Sequence, residues 1–240
     1  MIQFLPMRGI ALGGSACVAS ALLAYAVRGR SSTLLAPSVY RGSRHERAIA
    51  LTFDDGPSEG TSQLLDILNR LNTPATFFVC GMNVARLPNP VRAAAAAGHE
   101  LGNHSYSHPA LYFRSQDFIS KELSATQSIV AETTGALPAL FRAPFGARWF
   151  GLREAQMRLN LLGVMWTVLG RDWRLSAEGI ARRVLKRTEN GAIICLHDGR
   201  GVAHNPDISQ TLAAVERIIP ALRARGFTFK TVSQLLCPTN

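Results

Sequence analysis

Ala48-Ile49-Ala50-Leu51-Thr52-Phe53-Asp54-Asp55-Gly56-Pro57 runs from an apolar, β-rich stretch straight into two adjacent carboxylates and a Gly-Pro turn. A continuous apolar run of this length, bounded by turn residues, is the pattern of a strand buried on both faces, as in a parallel sheet. Similar short runs recur at 75–80, 100–103, 140–142, 163–168, 192–196 and 227–230. Between them lie helical patterns. Thr61 stands where a cap belongs, before a stripe of Leu64, Leu65, Leu68 and Leu71. Pro90 suits the first turn of an alanine-rich helix that Gly98 closes, 115–134 is a longer helix ended by Gly135, and 147–160, 176–188 and 208–225 read as further helices. Strand and helix in regular alternation predict a parallel α/β sheet, open or closed into a barrel, of about seven strands. Ligands of such sheets bind at the carboxyl ends of the strands, so polar clusters directly after strands are where chemistry is expected.

The chain has 240 residues, 47% hydrophobic and 18% charged, which suits one globular domain and excludes disorder over most of its length. Its 26 Lys and Arg against 16 Asp and Glu give a net charge of +10. That balance alone fixes no partner, and no nucleic-acid-binding motif accompanies it. Residues 9–27 carry no charge, with Arg8 before them and Arg28 and Arg30 after, so 1–30 reads as an export signal or membrane anchor, with a packed helix as the alternative. Residues 31–47, rich in Ser, Pro, Gly and Arg without periodicity, read as a linker, and 48–237 as the folded domain. The cysteines at 17, 80, 195 and 237 have no Cys-x-x-Cys spacing. Cys80 and Cys195 lie in apolar runs and read as buried free thiols, although sequence leaves a bridge among 80, 195 and 237 open.

Five clusters follow predicted strands. Asp54 and Asp55 repel one another unless a cation sits beside them; taken alone, they read better as a helix cap in an ordinary turn. His104 and His108, two of six histidines, stand four apart, which brings both rings to one side of a helical turn. With a nearby carboxylate they would form a two-histidine, one-carboxylate metal site with open positions. Phe141-Arg142-Ala143-Pro144-Phe145-Gly146 offers an arginine for a carboxylate and a turn that can aim a backbone N–H into a site. Arg171-Asp172-Trp173 is the fourth cluster, and the strand 193–196 delivers His197 at its mouth, well placed for acid–base work.

In this order and at these separations, the five clusters resemble carbohydrate esterase family 4, the polysaccharide deacetylases with a NodB-homology domain, over residues 45–237. The resemblance implies a distorted (β/α) barrel and a divalent metal, usually zinc, with cobalt or other divalent ions as alternatives. It implies Asp55, His104 and His108 as metal ligands, Asp54 as general base oriented by Arg142, and His197 as general acid oriented by Asp172. Phe145 would contribute a backbone N–H to the oxyanion, and Trp173 would line the acetyl pocket. This chain departs from the family's common pattern at Leu169, where Asp is frequent, at Phe145, where Tyr is frequent, and at Cys195, where Leu is frequent.

The resemblance implies removal of N-acetyl groups from an N-acetylglucosamine polymer such as peptidoglycan or a chitin-like chain, and the N-terminal segment predicts the cell envelope as its location. The alternatives are an O-acetyl polysaccharide esterase and an inactive carbohydrate-binding protein of the same fold; a cytoplasmic location is the alternative for the compartment.

Overall fold

The computed structural model describes residues 8–237. Its elements, in chain order, are α1 (Arg8–Arg28), β1 (Ser38–Val39), β2 (Ala48–Asp54), α2 (Thr61–Arg70), β3 (Thr76–Val79), α3 (Gly81–Arg86), α4 (Pro88–Ala96), β4 (Glu100–Asn103), α5 (Gln116–Thr134), β5 (Leu140–Phe141), α6 (Leu152–Arg158), β6 (Leu162–Val164), β7 (Val168–Leu169), α7 (Ala177–Arg187), β8 (Ile193–His197), α8 (Ser209–Ala224), β9 (Thr228–Lys230) and α9 (Val232–Leu236). The strands form one parallel sheet in the order β1-β6-β5-β4-β3-β2-β8-β7, with β9 paired to the start of β2. It is curled into a half-barrel with helices around it, the distorted barrel expected from the sequence.

β2 shows why this sequence makes such a sheet. All seven of its residues are buried, and alternate side chains enter different cores. Ile49, Leu51 and Phe53 pack with Leu64 and Leu68 of α2, Val184 of α7 and Ile218 of α8. Ala48 and Ala50 point the other way, to Phe78, Ile193 and the α9 residues Val232 and Leu235. On that second face the small side chains leave room for Arg142, the largest fully buried side chain of the described residues. Its guanidinium lies 4.0 Å from the Phe78 ring centroid and donates to the carbonyls of Val164 (3.1 Å) and Met165 (3.3 Å) and to Thr52 Oγ1 (2.7 Å).

The run 163–168, expected as one strand, is two: β6 pairs with β1 and β5, β7 pairs with β8, and the chain breaks step at 165–167. Residues 31–47, expected as a linker, are packed into the domain. β1 pairs with β6, Arg41 bridges to Ala192, and Leu35 and Ala36 are buried. Thr61 does not cap α2: the cap position is Gly60, and the Thr61 hydroxyl instead accepts from Ser58 N–H and donates to Asp198. Gly135 ends α5 as expected, in the left-handed region at φ 77°, and Ser115, expected as its first residue, is its N-cap. α6 is shorter than the expected 147–160, and α3 and α9 were not foreseen. Cys80, Cys195 and Cys237 are free, the first two buried.

Residues 1–7 of the expected signal or anchor lie outside the described residues. No helix among the described residues is long and apolar enough to cross a membrane. The end of α1 is tied to the domain through buried Arg148, whose backbone N–H donates to Val27 and whose guanidinium donates to the carbonyls of Gly29 and Ser32 and to Ser38 Oγ. Removing that side chain strands several carbonyls. Arg148→Ala is expected to lower stability by about 2–3 kcal/mol, read as a fall in Tm of roughly 5–10 °C. An unchanged Tm in thermal denaturation would mean that residues 27–38 do not contribute to the folded domain.

Candidate active site

The carboxyl ends of β2 and β8 lie side by side in register, with Asp54 opposite His197. β4 ends beside β5, Asn103 opposite Phe141, so His104 and Arg142 emerge next to each other. The chain beyond β2 turns at Asp55, which holds a positive φ of 73°. Ser105, His108, Phe145 and Arg171 share that left-handed geometry. Non-glycine residues held there are strained, and strain of this kind gathers at functional sites.

Asp55, His104 and His108 converge. Asp55 Oδ1 is 3.3 Å from His104 Nε2 and 3.0 Å from His108 Nε2, while its Oδ2 accepts from Gly201 N–H at 2.9 Å. His104 Nδ1 donates to the carbonyl of Arg142 at 2.7 Å, which orients the ring with Nε2 facing Asp55. Asn83 braces the turn by donating to the carbonyls of Asp55 and Gly201. Burial would raise the Asp55 pKa, but hydrogen bonds and charge from His104 and His108 outweigh it and hold the carboxyl well below its usual range. Two imidazole nitrogens and one carboxylate oxygen, with outer-shell partners in place, suit a divalent cation.

Asp54 and His197 sit beside this trio. Asp54 Oδ1 accepts from Arg142 at 2.6 Å, and its Oδ2 lies 3.4 Å from the Cys195 thiol. His197 Nδ1 is 2.9 Å from Asp172 Oδ1, and Asp172 Oδ2 accepts from His197 N–H and Thr211 Oγ1, each at 2.8 Å. Burial lowers the His197 pKa, but the hydrogen bond and charge of Asp172, then the charges of Asp55 and Asp54, push it up to about 9. Burial likewise opposes ionisation of Asp172, yet its bond to His197 prevails and its pKa is lowered.

Phe145 and Trp173 are half-exposed at the rim, their rings edge-on to His108 (4.8 Å) and His197 (5.2 Å). In the turn at Pro144–Gly146, the N–H groups of Gly146 and Ala147 donate back to Ala143 and Pro144, and that of Phe145 is left out of these bonds. The resulting pocket of about 680 Å³ is lined by all three residues of the trio together with Asp54, His197 and Cys195. Arg142 and Asp172 stand behind the wall and act through Asp54 and His197.

Several contributors escaped the sequence reading. Arg28 and Arg200 line the pocket. Glu122 on α5 anchors the histidine loop by accepting from the N–H groups of Tyr106 and Ser107 and from Ser107 Oγ. Asp198, fully buried, has its pKa pushed up to about 7, chiefly by burial, against the opposing bond from Thr61. Gly56 is required beside it, since a Cβ there would come within 2.1 Å of the Asp198 carboxylate.

The polysaccharide deacetylase family model matches residues 41–163. A chitooligosaccharide deacetylase from a Bradyrhizobium species is 37% identical over 198 residues, covering 79% of this chain and 90% of its own. A peptidoglycan-N-acetylglucosamine deacetylase from Bacillus cereus is 34% identical, covering 82% and 70%. Among solved structures, the Bc1960 peptidoglycan N-acetylglucosamine deacetylase, crystallised with a naphthalenyl N-oxidanyl-benzamide, superposes with a TM-score of 0.78 at 32% identity, covering 82% of this chain and 91% of that one. Sequence, fold and similarity therefore agree that this chain belongs to the polysaccharide deacetylase family and is an enzyme of that class.

Proposed function

We propose that the enzyme removes N-acetyl groups from N-acetylglucosamine units of peptidoglycan or a chitin-like chain, using a zinc ion held by Asp55, His104 and His108. The observation that carries this reading is the His197–Asp172 pair lying in register beside Asp54. An amide has a poor leaving group, and expelling an amine requires a proton at the nitrogen. A histidine kept protonated to about pH 9 supplies one.

Asp55, His104 and His108 would hold a divalent cation, which would supply Lewis-acid chemistry toward the acetyl carbonyl and water. Asp54 takes the proton of the attacking water, and Arg142 keeps that carboxylate aimed. The free ring nitrogen of His197 delivers a proton to the sugar nitrogen as the C–N bond breaks, giving acetate and a free amine. The unused N–H of Phe145 is placed to steady the carbonyl oxygen, and Trp173 borders the acetyl group. The charge-free span 9–27 supports a cell-envelope location, with membrane attachment through the N-terminal segment, and fractionation of the native protein tests it.

Mass spectrometry of zinc-loaded enzyme with chitooligosaccharides or peptidoglycan fragments is expected to show loss of acetyl groups without chain cleavage. No loss there, with acetate released from acetylated xylan, would move the assignment to an O-acetyl esterase; release from neither would leave a carbohydrate-binding protein.

A further inference from the structure

Cys195 lies in the pocket beside both proton-carrying residues. One ligand atom from each of Asp54, Cys195 and His197 lies within 4.8 Å of the other two. We propose that these three side chains form a second, inhibitory cation site that takes a soft divalent ion, adjacent to the Asp55–His104–His108 site and separate from it.

Each donor has a free atom for this task. Arg142 occupies Asp54 Oδ1, leaving Oδ2, which is the oxygen that faces the thiol. Asp172 occupies His197 Nδ1, leaving the other ring nitrogen. Cys195 is the strand residue two before His197, so its side chain leaves β8 on the same face. Carboxylate oxygen, imidazole nitrogen and thiolate sulfur are donors that zinc and softer ions accept together, with bonds of about 2.0–2.3 Å. Ligand atoms in such a tetrahedron stand roughly 3.3–3.8 Å apart, so separations of up to 4.8 Å need to contract by at most about 1.5 Å. The fourth position opens to the pocket.

The two sites differ in kind. The first offers one oxygen and two nitrogens, and the second replaces a nitrogen with sulfur, which shifts its preference toward soft ions such as Cd²⁺. Binding there forms metal–oxygen, metal–nitrogen and metal–sulfur bonds and releases the thiol proton and the proton on the imidazole to solvent. With Asp54 and His197 both coordinated, neither carries a proton to or from substrate. That consequence rests on the roles proposed above for the two residues; the binding does not.

The test uses the full chain carrying Cys17→Ser and Cys237→Ser, so that Cys80 and Cys195 are its only thiols. Titration with Cd²⁺ is expected to load two ions per chain, the second with a thiolate-to-metal absorption in the ultraviolet. Cys195→Ser is expected to bind one ion and lack the absorption, and His197→Gln, which keeps the thiol, to lose the second ion as well. Cys80→Ser should keep both. In the zinc-loaded enzyme, acetate release is expected to fall about 10²-fold or more as the second site fills. A single Cd²⁺ per chain, or a thiolate absorption that survives Cys195→Ser, would overturn the proposal. A protein inactive on every acetylated glycan would sink the proposed function instead and leave the metal count readable.

Discussion

Asp54→Asn is expected to retain the metal and lose turnover by about 10²–10⁴-fold, the range that removal of a positioned base produces. Asp54 faces Arg142 and Cys195, whereas Asp55 Oδ1 faces the two imidazoles, so the adjacent carboxylates have separate partners. Asn preserves the shape and can still accept from Arg142, but it cannot take a proton from water. His108→Ala provides the contrast, because it removes one of three ligands and is expected to cost both metal and activity. Metal analysis of the purified proteins, alongside acetate release, separates the two outcomes. A folded Asp54→Asn protein isolated without metal would show that the division of labour between the carboxylates is wrong.

Asp172→Asn is expected to move the alkaline limb of the pH–rate profile. The His197 pKa of about 9 lies above the ordinary imidazole value of 6.5, so the acid is protonated below that limb and activity falls as pH rises through it. A cation held by Asp55 repels the imidazolium and shifts the limb downward in wild type and variant alike. Without the Asp172 charge, burial is opposed only by the charges of Asp55 and Asp54, and the pKa falls. A fall all the way to the ordinary imidazole value would cut the protonated fraction at pH 8, and the rate with it, by about 30-fold. The same pair contributes stability that is fully present below pH 6.5 and is lost as pH rises through about 9. On the acid side its contribution fades as pH falls through the depressed Asp172 value. A variant whose limb stays with wild type would remove Asp172 from the mechanism.

What was legible in the sequence follows from how local each signal is. β2 and β8 are long apolar runs ending in charged residues, and both were read with their site residues attached. β1 has two residues and no periodicity; it is a strand only because Gly163 and Val164 lie beside it, so nothing within 31–47 announces it. The split between β6 and β7 is invisible for a related reason, since both pieces are apolar and only their different neighbours separate them. Among site residues, those following strands were found by that position together with the family resemblance. Glu122, Arg28 and Arg200 were not, because a helix-borne carboxylate and two arginines look like solvated charges until the fold brings them to the pocket.

The fully buried guanidinium of Arg142 also bears on how this enzyme can be improved. Selection for heat resistance ordinarily works by refilling interiors with hydrocarbon, since a buried ion pair is often no more stabilising than well-packed apolar residues. Here the pair is Arg142 with Asp54, and any hydrocarbon that replaces the arginine leaves the carboxylate buried and unpaired. The mutational routes to a sturdier core and to a working enzyme therefore diverge at this position. A library screened for thermal tolerance alone is expected to replace 54 and 142 together, and one screened for both properties to leave 52, 54 and 142 untouched.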